Sequence, residues 1–233
     1  MMAKEDANMR KELQGREARA GLVAAKADPV DSRRESGSQW GDSDANALAE
    51  VDDLRLKLER ADRCTKLATD VLQILSRSGQ PGPLIDDLLE VIQKATGFDA
   101  VALRLPRGED YPYYAQRGFP PNFILAENLL GARGSSDEIL RDERGRPILE
   151  CMCGQVISGT IDTSKAFSTE GGSFWTNSTS DLLAETSDAD RGTHTRNFCN
   201  AAGYESVALV PLKSPEGISG LLQLNDRRRG RFT

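Results

Sequence analysis

The segment that most constrains the fold is 203–233. Two apolar runs, 206–212 and 218–224, flank five residues, 213–217, which include a proline and a glycine. This pattern predicts a β-hairpin with a five-residue loop. Pro211 falls near the end of the first strand, where a missing backbone donor does the least harm to the ladder. We therefore expect the rest of the chain to build a sheet around this hairpin.

Length and composition allow one ordinary domain with extensions. Of the 233 residues, 38% are apolar and 28% are charged, so part of the chain is expected to be solvated or disordered. The formal charge of −6 argues against nucleic-acid binding. No apolar run reaches the length of a membrane span, and residues 1–20 lack the apolar core of a signal peptide. The sequence therefore predicts a cytoplasmic chain with no membrane segment, in which the four cysteines are reduced.

Residues 1–45 contain almost no large apolar side chains and predict a disordered tail. In 46–79 apolar or small residues recur at alternating spacings of four and three. These residues are Ala47, Val51, Leu54, Leu58, Ala61, Thr65, Ala68, Leu72 and Leu75. Such a heptad seam predicts a coiled-coil helix, and hence a homodimer through residues 47–75. The alternative, a helix packed on its own domain, is open at this stage.

Residues 80–233 alternate between helix and strand patterns. Helical periodicity covers 84–96 and ends at Gly97, and the segments 98–105 and 111–115 predict two strands joined by a turn. A further strand is expected at 174–177, with short helices within 118–130, at 180–184 (N-capped by Thr179 or Ser180) and at 195–202.

The order of these parts resembles that of GAF sensory domains. The resemblance is carried by the closing hairpin and by the segments LECMCG (149–154), GGSFWTNST (171–179) and TRNFCN (195–200). The matching hairpin positions are Gly203, Ser206, Pro211, Leu212, Gly220 and Leu222. The resemblance implies an α+β fold with a central antiparallel sheet and flanking helices. It also favours a helix for 149–157, where periodicity alone does not separate strand from helix.

The same resemblance implies a final helix that begins at Phe232 and Thr233, so that the domain at 80–233 lacks most of this helix. In GAF domains the final helix shares the cover of one sheet face with the first helix. Its absence predicts an uncovered apolar surface, with poor solubility and dye binding that added downstream residues would relieve.

The three segments resemble a subgroup of GAF domains found in bacterial sensor histidine kinases. This implies a sensory module that binds a small molecule or a redox cofactor and signals through a dimeric coiled coil to an output domain outside this chain. The sequence lacks kinase, phosphate-loop, serine-hydrolase and HExxH motifs and has one histidine, His194, so we expect no enzyme activity from it. A second interpretation is open, because some GAF proteins resemble free methionine-R-sulfoxide reductases, which use pocket cysteines.

Candidate ligand-binding residues cluster in 171–179 and 195–200. Aromatic walls are predicted from Phe174, Trp175 and Phe198, and polar contacts from Asn177, Thr195, Arg196, Asn197 and Cys199. Arg196 is the candidate for binding an anion, because a guanidinium grips a carboxylate with two hydrogen bonds. The alternative, that Arg196 pairs with Asp188 or Asp190, is open.

Cys151, Cys153 and Cys199 are candidate ligands of a metal ion, a haem or an iron–sulfur centre. The alternative is that they are small apolar fillers of the core. On a helix Cys151 and Cys153 lie about 200° apart and cannot share a metal, whereas on a strand they share a face. The structure of 149–157 therefore bears directly on this hypothesis.

Overall fold

The computed structural model describes residues 39–77 and 80–232. The chain divides into two compact units, Met1–Asp53 and Leu54–Thr233, and the sheet belongs to the second. Most of the predicted disordered tail lies outside the described residues, as does Thr233. Residues 39–45 of that tail are helical, so the first described helix begins earlier than the heptad pattern suggested.

The described elements follow one another as the sequence predicts, except for a short helix at 188–191 that was not predicted. The helices are α1 (Gln39–Leu75), α2 (Pro81–Thr96), α3 (Pro121–Glu127), α4 (Cys151–Ile157), α5 (Thr179–Glu185), α6 (Asp188–Arg191) and α7 (Phe198–Ala201). The strands are β1 (Ala100–Arg104), β2 (Tyr113–Arg117), β3 (Phe174–Thr176), β4 (Ser206–Ser214) and β5 (Gly217–Asp226). The strands form one antiparallel sheet in the order β2-β1-β5-β4-β3. The predicted α+β fold, with a central antiparallel sheet and flanking helices, is confirmed.

Within the unit Leu54–Thr233, helix α1 has one stripe of exposed apolar side chains and a second stripe of buried or partly buried ones. The heptad positions are exposed, among them Leu58 (63%) and Leu72 (65%). Ile74 is only 4% exposed, and Leu67 and Val71 are partly buried on its side of the helix. At about 100° per residue the two stripes lie roughly 130° apart around the helix axis. The packed stripe therefore leaves the heptad seam uncovered.

The closing hairpin is tighter than predicted. Strands β4 and β5 pair as far as Ser214 and Gly217, which leaves Pro215 and Glu216 in the turn instead of a five-residue loop. Gly217 has φ 130°, a conformation that L side chains rarely adopt. The polar residues at the end of β4 concealed the full length of the strand, because that end of the hairpin is largely exposed and carries little apolar pattern.

One face of the sheet packs against α2. Val101 and Leu224 join a cluster with Leu89 of α2, which is 2% exposed. Helix α2 ends as predicted, because Gly97 takes the left-handed conformation (φ 65°). Phe232, expected to begin a final helix, lies in a non-helical segment and stacks on Phe98 of this cluster, with ring centroids 5.2 Å apart.

The other face of the sheet is covered by α4 and by the short helices that follow β3. The helix predicted for 149–157 is present as α4. Ser178 is the N-cap of α5, not Thr179 or Ser180, since its Oγ accepts a hydrogen bond from the N–H of Asp181 (3.1 Å). The helix expected at 195–202 is reduced to α7, because Asn197 has φ 57° and a right-handed helix cannot run through that residue.

None of the described helices combines the length and the apolar character that crossing a membrane requires.

Candidate functional site

A small cavity lies between the sheet and the helices α4, α5 and α7. Its volume is about 70 Å³. Apolar side chains from the sheet and the helices form most of its wall, among them Met152, Phe174, Leu182, Phe198 and Leu209. Three thiols, those of Cys151, Cys153 and Cys199, also line it. The cavity therefore brings together residues from all three of the segments that carry the family resemblance.

Strand alternation decides which of the predicted aromatic and amide residues reach this cavity. Phe174 lines it, whereas Trp175 points to the opposite face of the sheet and meets Phe232 edge-on, with ring centroids 6.2 Å apart. Asn177 does not line it either. The Asn177 side chain donates to the carbonyl of Phe232 and accepts from its N–H, both at 2.7 Å. Trp175 and Asn177 therefore hold the segment that contains Phe232, and neither of them lines this cavity.

The predicted residues after α6 divide in the same way. Thr195, Asn197, Phe198 and Cys199 all line the cavity. Arg196 is not part of its wall.

Arg196 is held by carboxylates other than those considered from the sequence. Its Nη2 donates to Glu127 Oε2 (3.1 Å), its Nη1 donates to the carbonyl of Leu129 (2.9 Å), and its Nε lies 3.8 Å from Glu150 Oε2. Pairing with Asp188 or Asp190 is therefore wrong. Because the guanidinium already has these acceptors, it is occupied by the protein itself.

Glu127 is a buried carboxylate in the cavity wall that the sequence analysis missed. Only 5% of its surface is exposed, and this burial raises its pKa above the ordinary range, although Arg196 and Arg104 oppose the shift. Its ion-pair partner is 69 residues away in the chain. No local pattern in the sequence reports such a pair.

Cys151 occupies an unusual backbone position at the start of α4. It has φ 64°, which is uncommon for a residue other than glycine. Its N–H donates to the carbonyl of His194 (3.1 Å), and its Sγ accepts from the N–H of Arg196 (3.3 Å). The thiol is thereby fixed against the segment 194–196 and stays partly exposed.

The other two thiols have a different environment. Burial raises the pKa of Cys153 to about 12 and also raises that of Cys199. Gln223 and Asn225 lie next to Cys199. Gln223 accepts a hydrogen bond from Tyr113 Oη (3.0 Å) and donates one to Asn225 Oδ1 (3.0 Å). Thiols that keep their proton at neutral pH are poor nucleophiles and poor metal ligands.

The arrangement does not fit the predicted metal or cofactor centre. Among the residues that the structure describes, no group of three His, Cys, Asp or Glu side chains could hold a metal ion. The volume of about 70 Å³ is also far below the ~300–1,000 Å³ of typical ligand and cofactor pockets, which excludes a haem in this conformation. Cys151 and Cys153 both lie on helix α4, the arrangement in which they were expected not to share a metal ion.

Arg191 is the second charged residue of the wall that the sequence analysis missed. Its side chain is 6% exposed, and its Nη2 donates to Asp188 Oδ1 (2.8 Å). A capping box between Ser187 and Asp190 starts α6, and Gly192 ends it, so this short helix holds Arg191 in place. The sequence pattern of that capping box was the available signal.

Comparison of the sequence with protein-family models and with curated proteins finds no match. Similar solved structures include the GAF domain of a phosphoenolpyruvate-protein phosphotransferase from Coxiella burnetii, with 12% identity, 74% of this chain and 83% of that chain covered, and a TM-score of 0.48. The GAF domain of the corresponding Acinetobacter protein has 15% identity, coverage of 73% and 80%, and a TM-score of 0.45. Free methionine-R-sulfoxide reductase from Neisseria meningitidis in complex with its substrate has 13% identity, coverage of 72% and 74%, and a TM-score of 0.43.

The order of elements, from the α2–β1–β2 start to the β4–β5 hairpin, is the one that the resemblance to GAF domains implied. At identities this low, an activity does not carry over from one chain to another, because folds of this kind host many functions. In this chain the fold places the cavity between one face of the sheet and the helices that cover it.

Proposed function

We propose that this chain is the sensory input module of a bacterial signal-transduction protein such as a histidine kinase. A small molecule binds in the cavity between the sheet and α4. Helix α1 pairs with a second copy of the chain and carries the resulting change toward an output domain. The sequence resemblance supports the class of protein, and the cavity supports a ligand site.

The observation that carries this proposal is the composition of the cavity wall. Ligand sites are mostly apolar concavities with a few polar groups at defined places. Here Phe174, Leu182 and Phe198 supply apolar surface, while Glu127 and Arg191 supply buried polar groups in the same wall. A core that served only stability would not gain from enclosing two charged side chains beside an open volume.

The exposed seam of α1 supports the second part of the proposal. Leu54, Leu58, Leu72 and Leu75 are each more than half exposed and follow the heptad spacing. A contiguous apolar stripe on one helix is the surface that a second identical helix covers in a coiled coil.

The dimer is tested by placing a charge in the seam. Leu58→Asp would bury a carboxylate against the partner helix, so we expect association to weaken at least about tenfold and monomers to dominate. Light scattering measures the mass directly. The matched control is Gln73→Asp, which adds the same charge on an exposed position outside the seam and should leave the dimer intact. A monomeric mass for the unmutated chain would contradict the pairing.

The ligand site is tested by asking whether the cavity admits a probe. Xenon binds apolar cavities without specific contacts. The ¹²⁹Xe NMR resonance of dissolved xenon should therefore shift as the concentration of the full chain is raised. Leu182→Phe adds volume to the cavity wall and should abolish that response. Leu224→Phe makes the same change on the opposite face of the sheet and should preserve it. An unmutated chain without any xenon response would rule out an accessible cavity.

A second candidate function is cysteine-dependent reduction of free methionine-R-sulfoxide. The observation that favours it is the presence of three thiols in one cavity wall. Cys151 is the candidate for attack, because it is partly exposed while Cys153 and Cys199 are held protonated by burial. Thioredoxin-dependent consumption of NADPH with the free sulfoxide measures this activity. Cys151→Ser should abolish it and Cys64→Ser, an exposed cysteine of α1, should not.

A further inference from the structure

The two edges of the five-stranded sheet differ in how they are covered. Strand β3 lies at one edge, and the segment before it protects that edge. The carbonyl of Phe167 accepts a hydrogen bond from the N–H of Trp175 (2.9 Å), and Ser168 forms a bridge with Phe174. Strand β2 lies at the other edge and pairs only with β1. No hydrogen bond joins the backbone of 114–117 to a described residue outside the ladder with β1.

An open edge presents unpaired backbone donors and acceptors to which another extended chain can pair. Soluble proteins protect such edges with Pro, Lys, a bulge or a covering loop. In β2 this protection is confined to one end, where the register with β1 shifts near Tyr113 and Asn128 Oδ1 accepts the N–H of Tyr113 (3.1 Å). The remaining residues, 114–117, include neither Pro nor Lys. Their edge is therefore open to pairing.

The helix beside this edge has an exposed face without charge. The exposed residues of 121–129 are Pro121, Asn122, Leu125, Ala126 and Leu129. None of them is charged, although charged residues make up 28% of the chain, and Leu125 is 85% exposed. A solvated helix normally carries charged or polar residues on its outer face. An uncharged outer face with a fully presented leucine is typical of an interaction surface.

A groove lies between β2 and α3. It is lined by Gln116, Pro121, Ile124, Leu125 and Asn128. Its volume of about 380 Å³ exceeds the ~150 Å³ cavity that holds benzene, so an aliphatic side chain fits in it. Gln116 faces this groove, whereas its neighbours Ala115 and Arg117 face α2. An extended chain paired with β2 would therefore place every second side chain on the groove side.

The end of the open edge at Arg117 carries an excess of positive charge. Arg117 Nη2 lies 3.4 Å from Glu90 Oε2, and Lys94 contacts the same carboxylate, so two cations share one anion. All strand pairs in this sheet are antiparallel, and an antiparallel partner of β2 brings its N-terminal end to Arg117. An acidic residue at that end of the partner complements the charge, whereas a basic residue is repelled.

We infer that the open edge of β2 and the groove beside α3 bind an extended peptide segment of another protein. The segment pairs antiparallel with 114–117, starts with an acidic residue opposite Arg117, and places an aliphatic side chain in the groove at the next position, opposite Gln116. In recognition of this kind, backbone hydrogen bonds supply affinity and side-chain pockets supply specificity. The inference depends neither on the cavity beside α4 nor on pairing through α1.

Synthetic peptides test the inference on the full chain. The probe is Glu-Leu-Thr-Val-Thr with an amidated C-terminus and a fluorophore at the blocked N-terminus, and anisotropy measures its affinity. Ser in place of Leu should weaken binding at least about tenfold, because an aliphatic side chain is no longer buried. Lys in place of Glu should weaken it about two- to fivefold, the range of an exposed ion pair.

Two proline peptides test whether the backbone of the probe pairs with β2. Proline replaces the middle Thr in one peptide and the Val in the other. Successive N–H groups of a strand point in opposite directions, so one of the two prolines removes a donor of the ladder and should abolish binding. Hydrogen–deuterium exchange then locates the bound probe. Exchange within 114–117 should slow, and exchange in β3, the covered edge, should not change.

Variants make the same test from the protein side. Leu125→Asp puts a charge where the aliphatic side chain of the probe lies, so the probe should bind at least about tenfold more weakly. The matched control is Leu56→Asp, which changes an exposed leucine of α1 outside the heptad seam and should leave binding unchanged. Lys94→Gln leaves Arg117 alone with Glu90 and should remove most of the difference between the Glu and Lys peptides.

Four results would overturn the inference. The first is absence of probe binding at millimolar concentration, and the second is binding that does not slow exchange within 114–117. The third is full binding by both proline peptides or by Leu125→Asp. The fourth is a mass in light scattering that rises with concentration for the unmutated chain but not for Leu125→Asp, because a second copy of the chain would then cover this surface.

Discussion

The face of the sheet that packs on α2 is mainly apolar and buries Ser206 and Asp226 beside its apolar cluster, whereas the face toward α4 buries Arg104, Gln223 and Asn225; none of these five side chains is more than 1% exposed. Successive side chains of a strand point to opposite faces of the sheet, so the same strands supply a different set of residues to each face. An apolar face gains stability from every atom that it removes from water. A face with buried polar groups gains only when each of them has a partner. The α2 face therefore relies mainly on apolar burial, whereas the α4 face relies more on partners for its polar side chains.

Arg104 is held on the polar face by the two terminal nitrogens of its guanidinium, whereas its Nε has no hydrogen-bond partner among the described residues. Its Nη1 donates to the carbonyls of Tyr111 (2.9 Å) and Asn128 (3.0 Å), and its Nη2 donates to that of Glu127 (2.5 Å). The guanidinium also lies 3.6 Å from the ring centroid of Tyr113. These contacts fix the segment before the cavity to strand β1.

The largest effect on stability is expected from truncating a buried side chain on the α2 face. Leu89→Ala removes a side chain that is 2% exposed and should lower the free energy of unfolding by about 3 kcal/mol. Chemical denaturation measures the loss, and the xenon response of the α4 face should persist in conditions where the variant is folded. Leu89→Met, which keeps the volume, should cost less than about 1.5 kcal/mol. Equal losses for the two variants would mean that packing on α2 does not dominate.

A smaller effect is expected from the polar face. Gln223→Leu leaves Tyr113 Oη and Asn225 Oδ1 without their partner and should cost about 2 kcal/mol despite the added apolar surface. Tyr113→Phe in the Gln223→Leu background removes one of the orphaned groups and should recover part of the loss. A double-mutant cycle by denaturation measures this coupling. Additive losses would show that the two side chains do not act as a network.

The smallest effect is a dependence of stability on pH. Because burial raises the folded-state pKa of Glu127, its contribution is complete below the ordinary carboxyl pKa and is lost as the pH rises through the raised value. The melting temperature of the unmutated chain should therefore fall relative to Glu127→Gln as the pH rises above about 4.

Glu205, in the same domain, should give a pH dependence of stability with the opposite sign. Burial raises its pKa, but hydrogen bonds from Ser180 and Ser178 and the charge of Arg229 outweigh burial and lower it. The unmutated chain should therefore gain stability relative to Glu205→Gln as the pH rises from about 3 to 6. Parallel pH profiles for the two variants would refute the assignment of opposite environments.

The sequence was sufficient for the elements and their order, because apolar periodicity and glycine positions are local signals. Gly97 ends α2 and the run at 149–157 is a helix, both as predicted. The cavity was predicted less well. Trp175 was assigned to it although period-two alternation with Phe174 places the two on opposite faces, a rule that the sequence itself offered.

Other parts of the site had no local signal. Glu127 and Arg196 meet across 69 residues, and only the folded chain brings them together. The capping-box pattern at 187–190 could have indicated α6, but it does not report the burial of Arg191, which follows from how α6 packs. The sequence therefore did not predict which charged groups the tertiary fold buries.

Position 151 has a consequence for which sequences the domain can accept. Its left-handed backbone suits Gly or Asn, the solution found at Asn197, and a cysteine there costs about 1 kcal/mol of local strain. If backbone strain alone decided which residue is best at position 151, glycine would be favoured over cysteine. Glycine would, however, remove the sulfur that accepts the hydrogen bond from the Arg196 N–H. A library randomised at this single codon would measure how far selection for the thiol outweighs selection for the turn.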